Sequence, residues 1–178
     1  MSVCIRSCFL LLFSLYTTAC TFGQSVKTSG VLRVYADTQG NTGYKDQKGK
    51  VVIAAGKYPM CFTQTFHQYA IVTKPGEGLV AIDRNEQVLY QVFLYDNGPD
   101  EPAERLFRIM KDHKIGYADS KTGRVVISPQ FECAAPFKRG TAKVSMHCQT
   151  RTDGEHKTWE SDQWFLIDKR GKPLRQAL

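Results

Sequence analysis

Four short segments, each ending in aspartate, set the strongest limit on what this 178-residue chain can fold into. Gly43-Tyr44-Lys45-Asp46, Val80-Ala81-Ile82-Asp83, Gly116-Tyr117-Ala118-Asp119 and Phe165-Leu166-Ile167-Asp168 recur with their aspartates 37, 36 and 49 residues apart, so the last interval holds an insertion. A period of this size marks a stacked repeat, because one supersecondary unit cannot cover its own apolar face. Three of the aspartates lead into a glycine-bearing polar turn, Gln47 to Lys50, Ser120 to Gly123 and Lys169 to Lys172, where glycine supplies the positive φ of a tight hairpin. The second copy carries Glu86 instead. β-Branched runs follow, Val51-Val52-Ile53 and Val125-Val126-Ile127, of the kind that packs on a pleated surface.

Upstream of the fourth segment, Thr141 to Cys148 alternates, which predicts a strand that buries Ala142, Val144, Met146 and Cys148. Each unit therefore reads as strand, turn, strand, glycine turn, strand and loop, an antiparallel meander that needs no long helix. The expectation is an all-β fold of about four degenerate tandem meander units in one extended or curved sheet array. Val31 to Ala36 is its first strand, and Lys172 to Leu178 a frayed end.

The third copy resembles the WG-repeat family most closely. It runs Ile115-Gly116-Tyr117-Ala118-Asp119, then Arg124-Val125-Val126-Ile127-Ser128-Pro129-Gln130-Phe131, then Pro136-Phe137-Lys138-Arg139-Gly140-Thr141-Ala142-Lys143-Val144. The resemblance covers about residues 31 to 174, although the Trp-Gly dipeptide itself is absent: Thr42, Leu79 and Ile115 stand at the Trp position, and Trp164 is followed by Phe165. It implies an all-β repeat array of bacterial proteins with no common activity, so it speaks to fold and not to chemistry.

Residues 1–23 read as a secretory leader and residues 24–178 as the β-repeat domain. Arg6 supplies a weak basic start, Cys8 to Tyr16 an apolar stretch, and small residues precede two competing cleavage points. Cleavage before Gln24 gives a soluble protein. Cleavage before Cys20 makes that cysteine the lipid-bearing residue of a lipoprotein, with Thr17 standing where leucine is usual. The apolar stretch is too short to span a membrane, so membrane attachment is expected only through lipid on Cys20. Lys and Arg outnumber Asp and Glu by 24 to 17, and the leader removes only Arg6, so the remainder stays basic. These charges are scattered and form no block, and nucleic acid is not expected as a partner.

After leader removal Cys61, Cys133 and Cys148 remain, with Cys20 in addition if cleavage falls before it. Two readings stand: a Cys133–Cys148 disulfide, closing a loop of about 15 residues, or three buried small hydrophobes. His147, Cys148 and His156 with Asp153 or Glu155 imitate a metal site, but their spacing fits no standard pattern. Cys61 and His67 imitate a nucleophile and base without a flanking signature. The loop Asp96 to Pro102 holds three acids and an Asn but lacks EF-hand spacing, so a structural turn is the better reading. No catalytic residue, metal or cofactor is assigned.

The insertion Gln149 to Gln163 is the most unusual segment, a polar stretch carrying a tryptophan, and it nominates Arg151, His156, Trp159 and Trp164 for partner binding. The opposing reading is a lengthened hairpin whose Trp lies back on the sheet. The expected function is a non-enzymatic binding or structural module, exported to the periplasm, the cell surface or the medium, with an unidentified protein or glycan partner at the envelope. The alternative is an envelope enzyme or enzyme inhibitor with a pocket between repeats.

Overall fold

The computed structural model describes residues 30–153 and 156–174, and every regular element among them is a strand. Residues 1–23, including Cys20, lie outside the described residues. The first unit supplies β1 (Leu32–Ala36), β2 (Thr42–Lys45), β3 (Val51–Ile53), β4 (Met60–Cys61) and β5 (Thr65–Phe66). The second supplies β6 (Tyr69–Lys74), β7 (Gly78–Asp83) and β8 (Val88–Val92), followed by a short hairpin of β9 (Leu94–Tyr95) and β10 (Gly98–Pro99). The third holds β11 (Leu106–Lys111), β12 (Lys114–Asp119), β13 (Val125–Phe131) and β14 (Cys133–Ala134). The last part holds β15 (Thr141–Ser145), β16 (Gln149–Asp153), β17 (His156–Glu160) and β18 (Phe165–Asp168).

The repeated aspartates earn their place in the hairpins. Asp46 Oδ1 accepts the amides of Lys48 and Lys50, both at 2.9 Å, while its carbonyl accepts Gly49 N at 3.1 Å. Asp83 and Asp168 do the same for Asn85 with Gln87 and for Arg170 with Lys172. A short carboxylate that imitates a backbone acceptor thus locks each loop. The amides of Lys172 and then Arg170 hold the Asp168 carboxyl below its usual range despite some desolvation. Each loop needs a residue in the left-handed region, and Gly49 (φ 85°) and Gly171 (φ 80°) provide it freely. Glu86 (φ 61°) takes that strained position in the second unit, where its carboxylate accepts Tyr58 Oη at 2.8 Å and pairs with Lys57. A fifth turn of this kind forms at Asp37, which bonds Gln39 N and Asn41 N; no segment of the repeat spacing pointed to it.

The strand array is parcelled into several sheets. Their orders are β3-β2-β1-β5, β13-β12-β11-β8-β7-β6-β4 and β14-β15-β18, with separate hairpins β9-β10 and β16-β17. The division follows from the chain leaving its sheet at the end of a unit's third strand. In the first unit the chain passes from β3 into β4, which pairs with β6; in the third it passes from β13 into β14, which pairs with β15. Gly43 and Gly116 are the residues these exits cross. A Cβ on Gly43 would lie 2.5 Å from Ile53 O, and one on Gly116 would lie 2.5 Å from Pro129 N, both immovable backbone atoms. The second unit has Val80 at this position, and its third strand, β8, pairs with β7 on one side and with β11 of the next unit on the other. The seven-stranded sheet accordingly runs unbroken from the second unit into the third.

Crossing strands place sheets face to face, and two cores fill the gaps. Leu32, Tyr44, Ile53, Phe66, Val72 and Val80 belong to one, between the four- and seven-stranded sheets. Tyr117, Ile127, Phe131, Phe137, Val144 and Ile167 belong to the other, between the seven- and three-stranded sheets. Each is organised by a fully buried tyrosine. Tyr44 donates to Thr63 O at 2.8 Å and lies edge-on to Phe66; Tyr117 donates to Ala135 O at 2.6 Å and lies edge-on to Phe137.

The other face of the seven-stranded sheet carries Ala81, Tyr90, Phe107 and Ile109. β6 and β12 are four strands apart, about 19 Å if the sheet were flat. Yet Tyr69 of β6 stacks on Phe107 and donates to Ser120 O at 2.7 Å, just past β12. The sheet is therefore curled around these rings.

The alternation read over Thr141 to Cys148 holds only as far as Val144. Ser145 is buried, bonds His147 O at 2.7 Å and Ser161 Oγ at 2.8 Å, and ends the strand; Met146 is exposed. The polar side chain turns the chain out of the sheet before Met146 reaches the buried face.

Candidate functional site

A single guanidinium sits where the seven-stranded sheet, the β9-β10 hairpin and β14 meet. Arg108 continues the inward face of β11, next to Met110 and opposite Tyr117. Its side chain and that of Asp100 are each only 4% exposed. Arg108 Nη2 pairs with Asp100 Oδ1, Nε donates to Asp100 Oδ2 at 3.0 Å, and Nη1 donates to Ala134 O at 3.2 Å. The Arg108 amide also donates to Asp100 Oδ2 at 2.8 Å, so the carboxylate is fully engaged. Of the three acids in the loop Asp96 to Pro102, Asp100 points into the protein and is spent on an arginine.

The guanidinium faces are covered by rings. Arg108 Cζ stands 4.1 Å from the centre of Phe93 and 5.6 Å from that of Tyr95. Phe93 in turn meets Trp159 edge to face, with centres 5.8 Å apart. The result is a continuous row, Tyr95, Arg108, Phe93, Trp159, with a buried cation inside it. Phe93 is held in register by donating its amide to Arg108 O at 3.1 Å. Trp159 is delivered by the β16-β17 ribbon, in which it sits opposite Thr150.

Along this row runs a cleft of about 660 Å³, walled by Phe93 to Asp96 on one side and by Thr150 and Trp159 on the other, with Met110 and Ile115 in its floor. His113 and Glu132 stand at its rim. Leu94 and Tyr95 are 60% and 63% exposed, the most solvent-open of the large apolar side chains among the described residues. Glu132 is not free: it pairs with Lys114 at 2.9 Å and accepts Cys148 N at 2.8 Å, which hold its carboxyl below the usual range, the lysine foremost.

The residues nominated from the sequence separate on this frame. Gln149 to Gln163 is largely the β16-β17 hairpin, and Trp159 is half-buried against the second core while still lining the cleft. Arg151 is exposed and pairs with Glu160 on the same ribbon at 3.1 Å. Trp164 lies away from the row, under Lys143, whose Nζ is 4.7 Å from the ring centre. The backbone pairs His156 with Asp153 at the ribbon's far end, and its side chain lies outside the described residues, as does Glu155.

Cys133 and Cys148 are joined in a disulfide with Cα atoms 5.9 Å apart, which pins the foot of the ribbon to β14. That bond removes Cys148 from the His147–Cys148–His156 metal reading, because a disulfide sulfur offers no thiolate. No group of three His, Cys, Asp or Glu placed to hold a metal occurs among the described residues. Cys61 is buried and free; desolvation pushes its thiol up, away from the thiolate a nucleophile needs, and His67 is exposed.

Phe93, Tyr95 and Arg108 were missed by sequence reasoning. One signal was present: Arg108 interrupts the apolar run Leu106-Phe107-Arg108-Ile109-Met110, and a cation inside a core strand demands a buried anion. Nothing in the spacing names Asp100 as that anion.

The family model described as WG containing repeat matches residues 115–147. Neither a curated protein nor a solved structure matches the chain. The matched segment contains Gly116, Tyr117, the Asp119 turn and the exit from β13 into β14, and the same devices recur at Gly43, Tyr44, Asp46 and the exit from β3. On this match residues 115–147 form a WG-containing repeat, and the recurring devices give the first unit the same plan.

Proposed function

We propose that this chain is an exported, non-enzymatic binding module of the bacterial cell envelope, whose ligand enters the cleft between Phe93–Asp96 and the β16-β17 ribbon. The observation that carries the reading is the row of Tyr95, Arg108, Phe93 and Trp159: aromatic surface left open to solvent on a rigid, fully paired base. Open aromatic surface flanked by a few polar groups is the usual lining of a ligand site. Binding is favoured over catalysis because the reactive groups nearby are committed elsewhere: Asp100 to Arg108, Glu132 to Lys114, and Cys148 to Cys133. Export is supported by the leader-like residues 1–23 and by a disulfide, a bond that persists in oxidising compartments.

Two measurements test this. The intact mass of the protein recovered from its host's envelope is expected to begin at Gln24, or at a lipid-modified Cys20, and to be two hydrogens lighter than the reduced chain; a full-length reduced chain in the cytoplasm contradicts export. Only two tryptophans are present, so labelling with 5-fluorotryptophan gives two ¹⁹F resonances. An aromatic-fragment screen is expected to shift Trp159 and leave Trp164 in place. Fragments that bind while moving neither place the site elsewhere.

A further inference from the structure

We infer that the ligand of this cleft is a neutral carbohydrate, an inference that rests on the cleft being the binding site. The chain is basic overall, which by itself would favour anionic ligands. The cleft does not share that character. Its buried cation, Arg108, is neutralised by Asp100 with both side chains shielded, and its third nitrogen, Nη1, donates to Ala134 O. Glu132, which lines the cleft, is itself paired with Lys114. Asp96 accepts only from the neighbouring Asn97 Nδ2 at 3.3 Å among the described contacts, so the local balance is neutral to acidic. A phosphate or uronate would meet no uncompensated cation there, and would face a carboxylate.

A purely apolar occupant fits no better. Filling the cleft with hydrocarbon would strip water from Asp96, His113 and Thr150 without replacing those hydrogen bonds. A pyranose matches both demands. Its C–H faces stack on Tyr95 and on the exposed part of Trp159, while its hydroxyls donate to Asp96 and exchange bonds with His113 and Thr150 around the rim. The volume, about 660 Å³, suits a ligand of a few rings.

The test uses the leaderless protein labelled with 5-fluorotryptophan, disulfide intact. It is titrated with cello-, chito-, malto- and mannohexaose as neutral probes, and with oligogalacturonate and a heparin hexasaccharide as acidic ones. At least one neutral hexasaccharide is expected to shift Trp159 and leave Trp164 unmoved. Tyr95→Ala is expected to weaken that probe by about tenfold or more with an unchanged melting temperature, since the ring is mostly in solvent. Tyr95→Phe, which keeps the ring, is expected to bind within about twofold. Acidic probes alone shifting Trp159, or no sugar shifting it while aromatic fragments do, overturns the carbohydrate assignment and leaves the cleft as the binding site. Silence at Trp159 toward sugars and fragments alike overturns both.

Discussion

In the first unit Cys61 lies buried and unpaired, facing Val72 across β4 and β6; in the third, Ala134 faces Val144 in the same way, but the residue before it, Cys133, is bonded to Cys148. Up to that point the two units match device for device: a glycine crossed by the exiting strand, a buried tyrosine donating to a carbonyl, a phenylalanine edge, an aspartate-capped turn. Beyond it they part. After β6, the strand that β4 joins, the chain turns tightly at Lys74, bridged to Glu77, into β7. After β15 the chain instead passes the disulfide and builds the β16-β17 ribbon that carries Trp159 to the aromatic row. The interior devices set the fold and leave the outer connections free to vary, and the cleft is made where a connection has been lengthened.

The largest effect should come from the feature with no counterpart in the first unit. Asp100→Ala leaves the Arg108 guanidinium buried without its anion, at a cost of about 3–5 kcal/mol by chemical denaturation. It should also shift the Trp159 resonance, because Phe93 rests on that guanidinium. An unchanged stability would mean that the pair does not anchor the row.

The shared plan is tested by placing a Cβ where each exiting strand passes. Gly43→Ala and Gly116→Ala should each cost about 3 kcal/mol, as overpacking against backbone does, and should agree within about 1 kcal/mol. If one is tolerated, the two exits are not equivalent. Removing the disulfide with Cys133→Ser and Cys148→Ser should cost up to about 3 kcal/mol, with the change in hydrogen exchange confined to the ribbon and its neighbours. The first unit offers no matching mutation, since Cys61 has no partner.

Smaller and again paired are Tyr44→Phe and Tyr117→Phe, each expected to cost about 1–2 kcal/mol through a buried carbonyl left unsatisfied. Burial pushes both hydroxyls well above their ordinary range and raises Tyr69 to about 12. Because the folded state holds these protons more tightly than the unfolded state, their contribution is complete below pH ~10. The Tyr69 share is lost as pH rises through about 12, and the shares of Tyr44 and Tyr117, whose hydroxyls are raised further, are lost at higher pH still. Thermal melts between about pH 9 and 12, where the unfolded tyrosines titrate first, should show a steady fall that either Tyr→Phe substitution makes shallower. Smallest is Glu86→Gly, where relief of a left-handed side chain offsets the loss of the Tyr58 and Lys57 contacts, for a net change within about 1 kcal/mol.

The sequence carried the parts of this molecule that are local. Aspartate turns, β-branched runs and the third unit's motif are written in neighbouring residues, and the strands beside them follow, except that β15 stops at Ser145. The sorting of strands into three main sheets is not local: it depends on what β4 and β14 pair with after leaving their neighbours, and the only trace is a glycine at positions 43 and 116 against a valine at 80. The Asp37 turn escaped because its segment, Val34-Tyr35-Ala36-Asp37, shares the Tyr-x-Asp pattern but stands only 9 residues before Asp46, outside the repeat spacing. Of the candidate site, Trp159 was legible because it stands in a polar insertion. Its companions were not, since Tyr95, Asp100 and Arg108 are joined to it only by folding, from positions more than 50 residues away.

The separation between scaffold and cleft is tested most directly by hydrogen exchange on the protein before and after reduction of Cys133–Cys148. The account predicts faster exchange in residues 148–161 and in the facing Phe93–Asp96 segment, with protection across β1–β3 and β6–β8 unchanged. Loss of protection throughout the first and second units on reduction would contradict it, because the ribbon would then be part of what holds the repeats together.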